Sequence, residues 1–426
     1  MSKRQSMPTS KLGRSAVVGH AAAKVGGLKA VHLGKRPFLK KDRRIVADRE
    51  SDEAVARIIF DTLSRLRGTA LKAAQLLSME IEMLPEAYRR ELARSSSQVP
   101  SINRALVRKI VRSELGPLEE VFHAFEVTPF AAASLGQVHA AVTIEKAAVA
   151  VKVQYPGLAE SVTSDVGMIK RVLSPTTYSR VFADCFDEVE RKVLEELDYR
   201  KEAKNTAWFA DWIRTDRYVV PTVHEALSSK RVLTTQRISG AHLSAWLETR
   251  PSKRERNHFG QLLVDFFHQG AFVQGVFHAD PNPGNYLIRE DGRLGILDFG
   301  CVTAIGPELS SVMGRLLRSE DRIDIAVEEA LHEAAGIHYR SGVNREAFAA
   351  FFKTWVKWLK EPYRPGGYDF EKNDDYFERG NRFLDEFRCY IDHYDSRFVY
   401  FGRTLHGVLR LLQQLGAEVR MAPPEP

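Results

Sequence analysis

The spacing of apolar residues along the chain predicts helices first and strands later. From Glu53 onward, apolar residues recur every three or four positions, the interval of a helix that packs one face against a core. They include Ala54, Val55, Ile58, Ile59, Leu63 and Leu66. The pattern continues to Met79, and Pro85 begins a further short helix that extends to about Ala93. The first quarter of the chain is therefore predicted to be helical before any strand appears.

Strand signals begin near Ser134. Two β-rich runs, 134–143 and 147–153, flank a turn around Glu145 and Lys146. A long helical stretch at 182–209 follows, with strands predicted at 218–222 and 231–238, and Gly240 marks a lobe boundary. Beyond it the pattern is helical at 254–274, contains two short strands within 277–297, and is helical again to about 415. This order predicts an α+β fold with two lobes.

Positive charge is concentrated at the N-terminus. The chain of 426 residues has 62 Lys and Arg against 55 Asp and Glu, a net charge of +7. Residues 1–50 hold 13 of these bases and 3 of the acids, so the tail carries +10 and the remainder −3. Two interpretations of the tail stay open: a partly disordered or packed segment, and a segment drawn to anionic lipid, where each basic residue contributes about 1 kcal/mol. No basic stripe with interleaved aromatics lies elsewhere, so specific nucleic-acid binding is not expected.

Composition narrows the class of protein further. Hydrophobic residues make up 44% of the chain, enough for a substantial core, and the three cysteines (Cys185, Cys301 and Cys389) are too far apart for a disulfide framework or a cysteine zinc site. The N-terminus has no continuous apolar segment of a secretion signal, and no run approaches the ~18 apolar residues of a membrane span. We expect a cytoplasmic protein, with peripheral membrane attachment as the open alternative.

The most informative residues lie between 278 and 300. The segment His278-Ala-Asp-Pro-Asn-Pro-Gly-Asn285 is followed by Asp298-Phe-Gly300. Phosphoryl transfer needs a carboxylate near the attacking hydroxyl and two oxygen ligands that hold Mg²⁺ against the phosphates. The five-residue spacing from Asp280 to Asn285 and the later D-F-G match the protein-kinase signature. We therefore predict that Asp280 is catalytic and that Asn285 and Asp298 bind metal.

A strand lysine upstream completes the predicted chemistry. Lys152 ends the run Val-Ala-Val-Lys and matches the kinase lysine that contacts the α- and β-phosphates. Such a lysine needs a carboxylate from a neighbouring helix. Glu196, Asp198 and Glu202 are the candidates; Asp198 and Glu202 are four residues apart and would share one helical face. Composition alone does not choose among them, and all three are assigned to the predicted nucleotide site.

The phosphate-covering loop departs from the usual glycine-rich sequence. Where a kinase has G-x-G-x-x-G-x-V, this chain retains one glycine of the pattern, Gly136, with alanines ahead of it. Alanine narrows the backbone freedom that glycine provides. We expect a stiffer loop that contacts the nucleotide through five residues: Ala132, Ala133, Ser134, Gly136 and Val138.

Together these motifs resemble the UbiB family of atypical kinases. The resemblance rests on residues 132–139, Lys152, Glu196-x-Asp198-Tyr199, 277–281 and the D-F-G, and it covers roughly residues 55–415. It implies a protein-kinase-like two-lobed fold with an N-terminal helical extension, ATP or ADP and Mg²⁺ as ligands, and a link with coenzyme Q biosynthesis and lipid homeostasis. The expected domains are a basic tail (1–50), a helical extension (51–125), an N-lobe (126–239) and a mostly helical C-lobe (240–420).

The family also has a Lys-x-Gly-Gln motif that folds over the place where a protein kinase binds its peptide. The matching residues here are Lys72 and Gln75, with Ala74 in place of the glycine. The resemblance implies that Lys72, Gln75, Glu196 and Asp198 form a polar network over the nucleotide. The substitution at Ala74 weakens the inference for the extension more than for the nucleotide site.

Three functions remain open at this point. The first is an atypical kinase-like ATPase or phosphotransferase that acts on a small or lipid-linked molecule at a membrane surface. The second is a small-molecule phosphotransferase of the aminoglycoside- or choline-kinase type, and the third is a nucleotide-gated scaffold without turnover. Besides nucleotide, the expected partners are anionic lipid and the intermediates and proteins of a quinone pathway.

Overall fold

The computed structural model describes residues 11–38, scattered positions between 43 and 62, and residues 103–133, 135–173, 186–213, 215–318, 325–373 and 375–424. Most of the predicted helical extension, including Lys72, Ala74 and Gln75, lies outside the described residues, as does Ser134. Two compact units are present. The first contains the described residues up to Ala203 together with Val223–Arg237, and the second contains Lys204–Thr222 together with the chain from Ile238 onward.

Helices account for most of the regular structure. In chain order they are α1 (Lys11–Lys35), α2 (Arg104–Leu115), α3 (Leu118–Val121), α4 (Leu158–Leu173), α5 (Phe186–Glu196), α6 (Tyr199–Trp212), α7 (Leu243–Glu248), α8 (Lys253–His268), α9 (Pro307–Arg318), α10 (Ile325–Ala334), α11 (Arg345–Leu359), α12 (Tyr376–Tyr390) and α13 (Ser396–Leu415). Within the described residues, no helix is both long and apolar enough to cross a membrane.

The strands are short and belong to several small sheets. In chain order they are β1 (Phe122–Phe125), β2 (Ala131–Ala133), β3 (Gly136–Thr143), β4 (Ala148–Gln154), β5 (Tyr218–Val219), β6 (Val232–Gln236), β7 (Ala241–His242), β8 (Val276–His278), β9 (Tyr286–Ile288), β10 (Leu294–Ile296), β11 (Val302–Ala304), β12 (His338–Tyr339), β13 (Tyr368–Asp369), β14 (Ile391–His393) and β15 (Glu418–Val419).

The first unit is built on an antiparallel sheet of order β1-β3-β4-β6, with β2 paired to β3. Successive side chains of a strand point to opposite faces. Alternate residues of β4 (Val149, Val151 and Val153) enter the core, where they meet the apolar side of α2. The intervening Lys152 therefore belongs to the other face of the sheet. The predicted β3–β4 hairpin is confirmed, and its turn contains Lys146 at φ 68°.

The second unit has one large apolar core to which α8, α9, α11 and α13 contribute. A capping box begins α8, in which Ser252 and Glu255 satisfy each other's backbone N–H groups. Two small sheets lie in this unit near the D-F-G sequence: one of order β5-β10-β9-β7, the other the antiparallel pair β8–β11. They place the ends of β8, β9 and β10 next to the residues predicted to carry the chemistry.

Three predicted elements differ from the structure. The single helix expected at 182–209 is two helices, α5 and α6, because Asp198 lies between them and accepts a hydrogen bond from Arg200 N (3.2 Å), as a residue preceding a helix does. The strand expected at 218–222 ends at Val219, and Pro221 has no N–H to donate to a ladder. The segment 277–297, expected to hold two strands, carries the end of β8 and all of β9 and β10.

Candidate functional site

Lys152 pairs with Glu202 inside the first unit. Its Nζ lies 2.8 Å from each carboxylate oxygen of Glu202, and the two side chains are only 14% and 7% exposed. The same Nζ lies 5.1 Å from the centre of the Tyr199 ring, within range of a cation–π interaction. Of the three candidate carboxylates, Glu202 is therefore a direct partner of the strand lysine.

Asp198 has a different partner. Its carboxylate receives hydrogen bonds from Arg200 Nε (2.8 Å) and Nη2 (2.7 Å), and this guanidinium holds the pKa of Asp198 below its usual value. Asp198 lies immediately before α6, which begins at Tyr199, and Glu202 lies in the first turn of that helix. Glu196, the third candidate, is half-buried at the end of α5.

The alanine segment forms a strand rather than an open loop. Ala131, Ala132 and Ala133 pair with Val138, Gln137 and Gly136 in turn, and Val138 stands opposite Lys152 on β4. A Cβ at Gly136 would overlap the carbonyl oxygen of Val153 and approach Tyr199 Oη to 2.7 Å. This glycine thus permits close packing beside the lysine strand, a role that differs from the flexibility expected of a phosphate-covering loop.

In the second unit, hydrogen bonds join the predicted catalytic and metal-binding segments. His278, at the end of β8, donates from Nε2 to the carbonyl oxygen of Asp298 (2.8 Å). Asn285 donates from Nδ2 to both the carbonyl oxygen and Oδ2 of Asp280 (3.1 Å each). The carbonyl of Asn285 accepts a bond from Leu297 N (2.8 Å). Asp280, Asn285 and Asp298 are therefore brought together within one hydrogen-bonded network.

The D-F-G segment has an unusual backbone and a deeply buried phenylalanine. Asp298 has a φ of 50°, in the left-handed region, which is uncommon outside glycine and most accessible to Asn and Asp. Its Oδ1 accepts a bond from Gly300 N (3.1 Å), and such local bonds help these residues adopt this conformation. Phe299 is fully buried, with its ring 4.7 Å from that of Phe209 and 5.4 Å from that of His278.

The donor set of Asn285 and Asp298 fits a hard divalent cation. Carboxylate and amide oxygens are the ligands that Mg²⁺ prefers. Because the Asn285 amide group donates from its nitrogen to Asp280, its Oδ1 is the atom that can ligand a cation. In the part of the chain that the structure describes, no cluster of three His, Cys, Asp or Glu side chains offers a metal site of its own. A cation here would be shared with its ligand, as Mg²⁺ usually is with phosphates.

Sequence reasoning missed two supporting residues on α6. Asn205 donates from Nδ2 to the carbonyl oxygen of Phe299 (2.9 Å), and Phe209 packs on the Phe299 ring. Both lie in the half of α6 that belongs to the second unit. Asn205 and Phe209 are four residues apart, a spacing that places them on one face of α6. Nothing in the sequence connected that face with the D-F-G segment.

Comparisons with known proteins agree with the predicted kinase-like fold. The model of the ABC1 atypical kinase-like domain matches residues 94–321. The chain is 33% identical over 338 residues to the mitochondrial atypical kinase coq-8 of Caenorhabditis elegans, covering 75% of this chain and 44% of the relative. It is 32% identical over 314 residues to the mitochondrial atypical kinase COQ8B of Danio rerio, covering 70% and 49%. The chain thus spans less than half the length of each of these curated relatives.

A solved structure extends the similarity to most of the chain. The protein Rv3197 of Mycobacterium tuberculosis, solved in complex with erythromycin, superimposes with a TM-score of 0.60 at 26% identity. The alignment covers 90% of this chain and 96% of that one. The predicted family and the mixed helix and strand fold are confirmed.

Replacing Glu202 tests its assignment as the partner of Lys152. Glu202→Gln removes the charge that compensates a largely buried ammonium group, so we expect the free energy of unfolding to fall by about 1–3 kcal/mol. Asp198→Asn is the matched control, because its partner Arg200 is exposed and asparagine also caps helices well; its effect should stay below about 1 kcal/mol. Urea denaturation followed by circular dichroism measures both. Equal losses would contradict the assignment.

Proposed function

This chain belongs to the ABC1 family of atypical kinase-like proteins, also called the UbiB family, and we propose that it binds a Mg²⁺-nucleotide and cleaves the terminal phosphoryl group of ATP. The product would be phosphate, or a phosphorylated small or lipid-linked acceptor. The observation that carries this proposal is the hydrogen-bonded arrangement of His278, Asp280, Asn285 and Asp298.

Each residue has a role in the proposed reaction. Asp280 orients the attacking water or hydroxyl and accepts its proton as the new bond to phosphorus forms. Asn285 and Asp298 would hold the metal, which offsets the negative charge of the phosphates when bound. By the family motif, Lys152 would contact the α- and β-phosphates; Glu202 pairs with its ammonium group. Asn285 also fixes the Asp280 carboxylate through Nδ2, so the base and the metal ligand are positioned together.

A nucleotide-gated scaffold is the second candidate function. The pairing of Ala131–Ala133 within the sheet favours it, because a segment held by a ladder of hydrogen bonds closes over a ligand less readily than a glycine-rich loop. Such a protein would bind nucleotide in a one-to-one ratio and release no phosphate above background. Phosphate release measured with and without liposomes therefore separates the two candidates.

Asp298→Asn tests the proposed metal ligand. Asparagine tolerates the positive φ of this position, so the backbone should be retained while a negative oxygen ligand is lost. We expect Mg²⁺-dependent ATP binding to weaken at least tenfold and turnover to fall in parallel, as measured by calorimetry and phosphate release. The control is Asp291→Asn, an acid of the β9–β10 turn that pairs with Arg289 and Arg293. Unchanged binding in Asp298→Asn would remove this residue from the metal site.

We further propose that the N-terminal helix attaches the protein to an anionic lipid surface. Helix α1 contains no Asp or Glu, and its Ala21 and Val25 are buried. Toward its end and just beyond it, Val31, Leu33 and Phe38 are 57%, 62% and 89% exposed, and the neighbouring Lys35 and Arg36 are exposed as well. Exposed apolar side chains among cations are the features by which an interfacial segment binds a membrane surface.

Charge reversal tests this attachment in the full chain. Replacing Lys24, Lys35 and Arg36 by Glu should reduce cosedimentation with vesicles containing anionic phospholipid at least fivefold, since each basic residue contributes about 1 kcal/mol. Reversal of Arg108, Lys109 and Arg112, which are exposed on α2, changes the net charge equally and is the control. Equal losses in both variants would show that net charge, and not α1, determines binding.

The family resemblance also supports a role in quinone metabolism, which we propose for this chain. In a deletion strain, quinone intermediates should change, and the wild-type gene should restore them. The variant Asp280→Asn should fail to do so, because the proposed role depends on turnover. Quinone profiles that do not change on deletion would separate this protein from that pathway, while restoration by Asp280→Asn would favour the scaffold.

A further inference from the structure

Helix α13 contacts two residues that flank Asp280 in the sequence, one before it and one after it. On the side before it, the ring of Phe401 meets that of Phe277 edge-on, with centres 6.3 Å apart and both side chains buried. On the side after it, Gly407 lies against the ring of Pro281. Residues 277 and 281 bracket His278, Ala279 and Asp280. A helix that lies beyond the segment matched by the family model, residues 94–321, thus supports the catalytic segment at two points.

The contact at Gly407 leaves no room for a larger residue. A Cβ at this position would overlap Cγ of Pro281 and come within 3.0 Å of its Cβ. Unlike the end of a flexible side chain, a proline ring cannot rotate away, since its ring is bonded to its own backbone nitrogen. The strain would therefore pass into the backbone next to Asp280.

A second glycine of α13 has no such contact and serves as a comparison. Gly402 lies five positions earlier in α13, and a Cβ there would meet nothing within 4 Å. Glycine inside a helix is less favourable than alanine by about 1 kcal/mol. Neither glycine has a positive φ that would require it. Close contact with Pro281 is therefore the physical reason for glycine at 407, and it does not apply at 402.

We propose that α13 sets the position of the Asp280 carboxylate and that Gly407 is the positioning residue that allows it. This rests on the proposed function, because it assigns a role in phosphoryl cleavage. Hydrogen bonds connect the segment that follows Asp280: Asn282 N donates to the Asp280 carbonyl (2.7 Å), Asn285 N donates to the Asn282 carbonyl (2.9 Å), and Asn285 Nδ2 donates to the Asp280 carboxylate. A displaced Pro281 ring would therefore shift the proposed base relative to the reacting phosphorus.

The test compares Gly407→Ala with Gly402→Ala in the full-length protein. Displacement of a catalytic group by about 1 Å can cost on the order of a hundredfold in rate. We expect Gly407→Ala to lower the kcat of ATP hydrolysis at least tenfold while the Kd for Mg²⁺-ATP changes less than threefold. Gly402→Ala should leave both values unchanged. Equal kcat values in the two variants, or a parallel loss of kcat and affinity in Gly407→Ala alone, would overturn the proposal.

A double variant tests whether the loss of kcat in Gly407→Ala comes from the contact with Pro281, and it also covers the case in which Gly407→Ala does not fold. Pro281→Ala removes the ring atom that the new methyl group would overlap, so Gly407→Ala combined with Pro281→Ala should recover most of the difference in kcat between Gly407→Ala and the wild type. Failure of the double variant to exceed Gly407→Ala would contradict the contact as the cause. If Gly407→Ala does not fold, the double variant should still fold and turn over, and its failure to do so would count against the proposal.

Hydrogen exchange separates this inference from the proposed function. If the wild type hydrolyses no ATP, the proposed function fails, but the positioning contact can still be measured. Exchange of the Asn282 and Asn285 amides, both hydrogen-bonded within the segment, should accelerate at least tenfold in Gly407→Ala and remain unchanged in Gly402→Ala. Equal exchange in the two variants would remove the positioning role whatever the activity.

Discussion

A hydrogen bond to a backbone carbonyl joins the two segments on which the candidate chemistry depends. His278 comes immediately before Ala279 and Asp280, and its ring donates to the carbonyl of Asp298. The bond also gives a partner to the carbonyl of Asp298, a residue whose backbone is left-handed. A carbonyl oxygen only accepts, so the bond fixes the proton of His278 on Nε2. The histidine of the motif therefore links the segment that contains Asp280 to the D-F-G segment.

The sequence predicted the chemical residues better than their partners. That Asp280, Asn285 and Asp298 lie close together could be predicted because their spacing follows from a local arrangement: a short loop, a β-hairpin and the residues that end it. Lys152 could be placed because alternation along β4 directs it away from the valine face. Both features depend on residues that are close in the sequence, and such local relations can be read from spacing and alternation.

Contacts between distant positions were the ones that could not be predicted. Glu202 lies 50 residues from Lys152, and the choice between it and Asp198 depended on a helix break that the apolar pattern did not reveal. Gly136 was assigned to a nucleotide-contacting loop from the motif, and the close packing that it permits beside Val153 and Tyr199 could not be predicted. The contact between Gly407 and Pro281 could not be predicted, because the sequence does not show whether the space beside a helical glycine is open or filled by a proline ring.

Because α13 packs against the segment around Asp280, this segment can complete its packing only after α13 has been synthesised. Pro281 leaves the ribosome before Gly407 does, and the intervening chain of roughly 126 residues takes about 6–25 s to make at 5–20 residues per second. During that interval Phe277 and Pro281 lack the helix against which they finally pack. The segment around Asp280 thus reaches its final environment only when α13 has been synthesised, and a ribosome-bound chain that has not yet reached residue 407 lacks one side of this candidate catalytic loop.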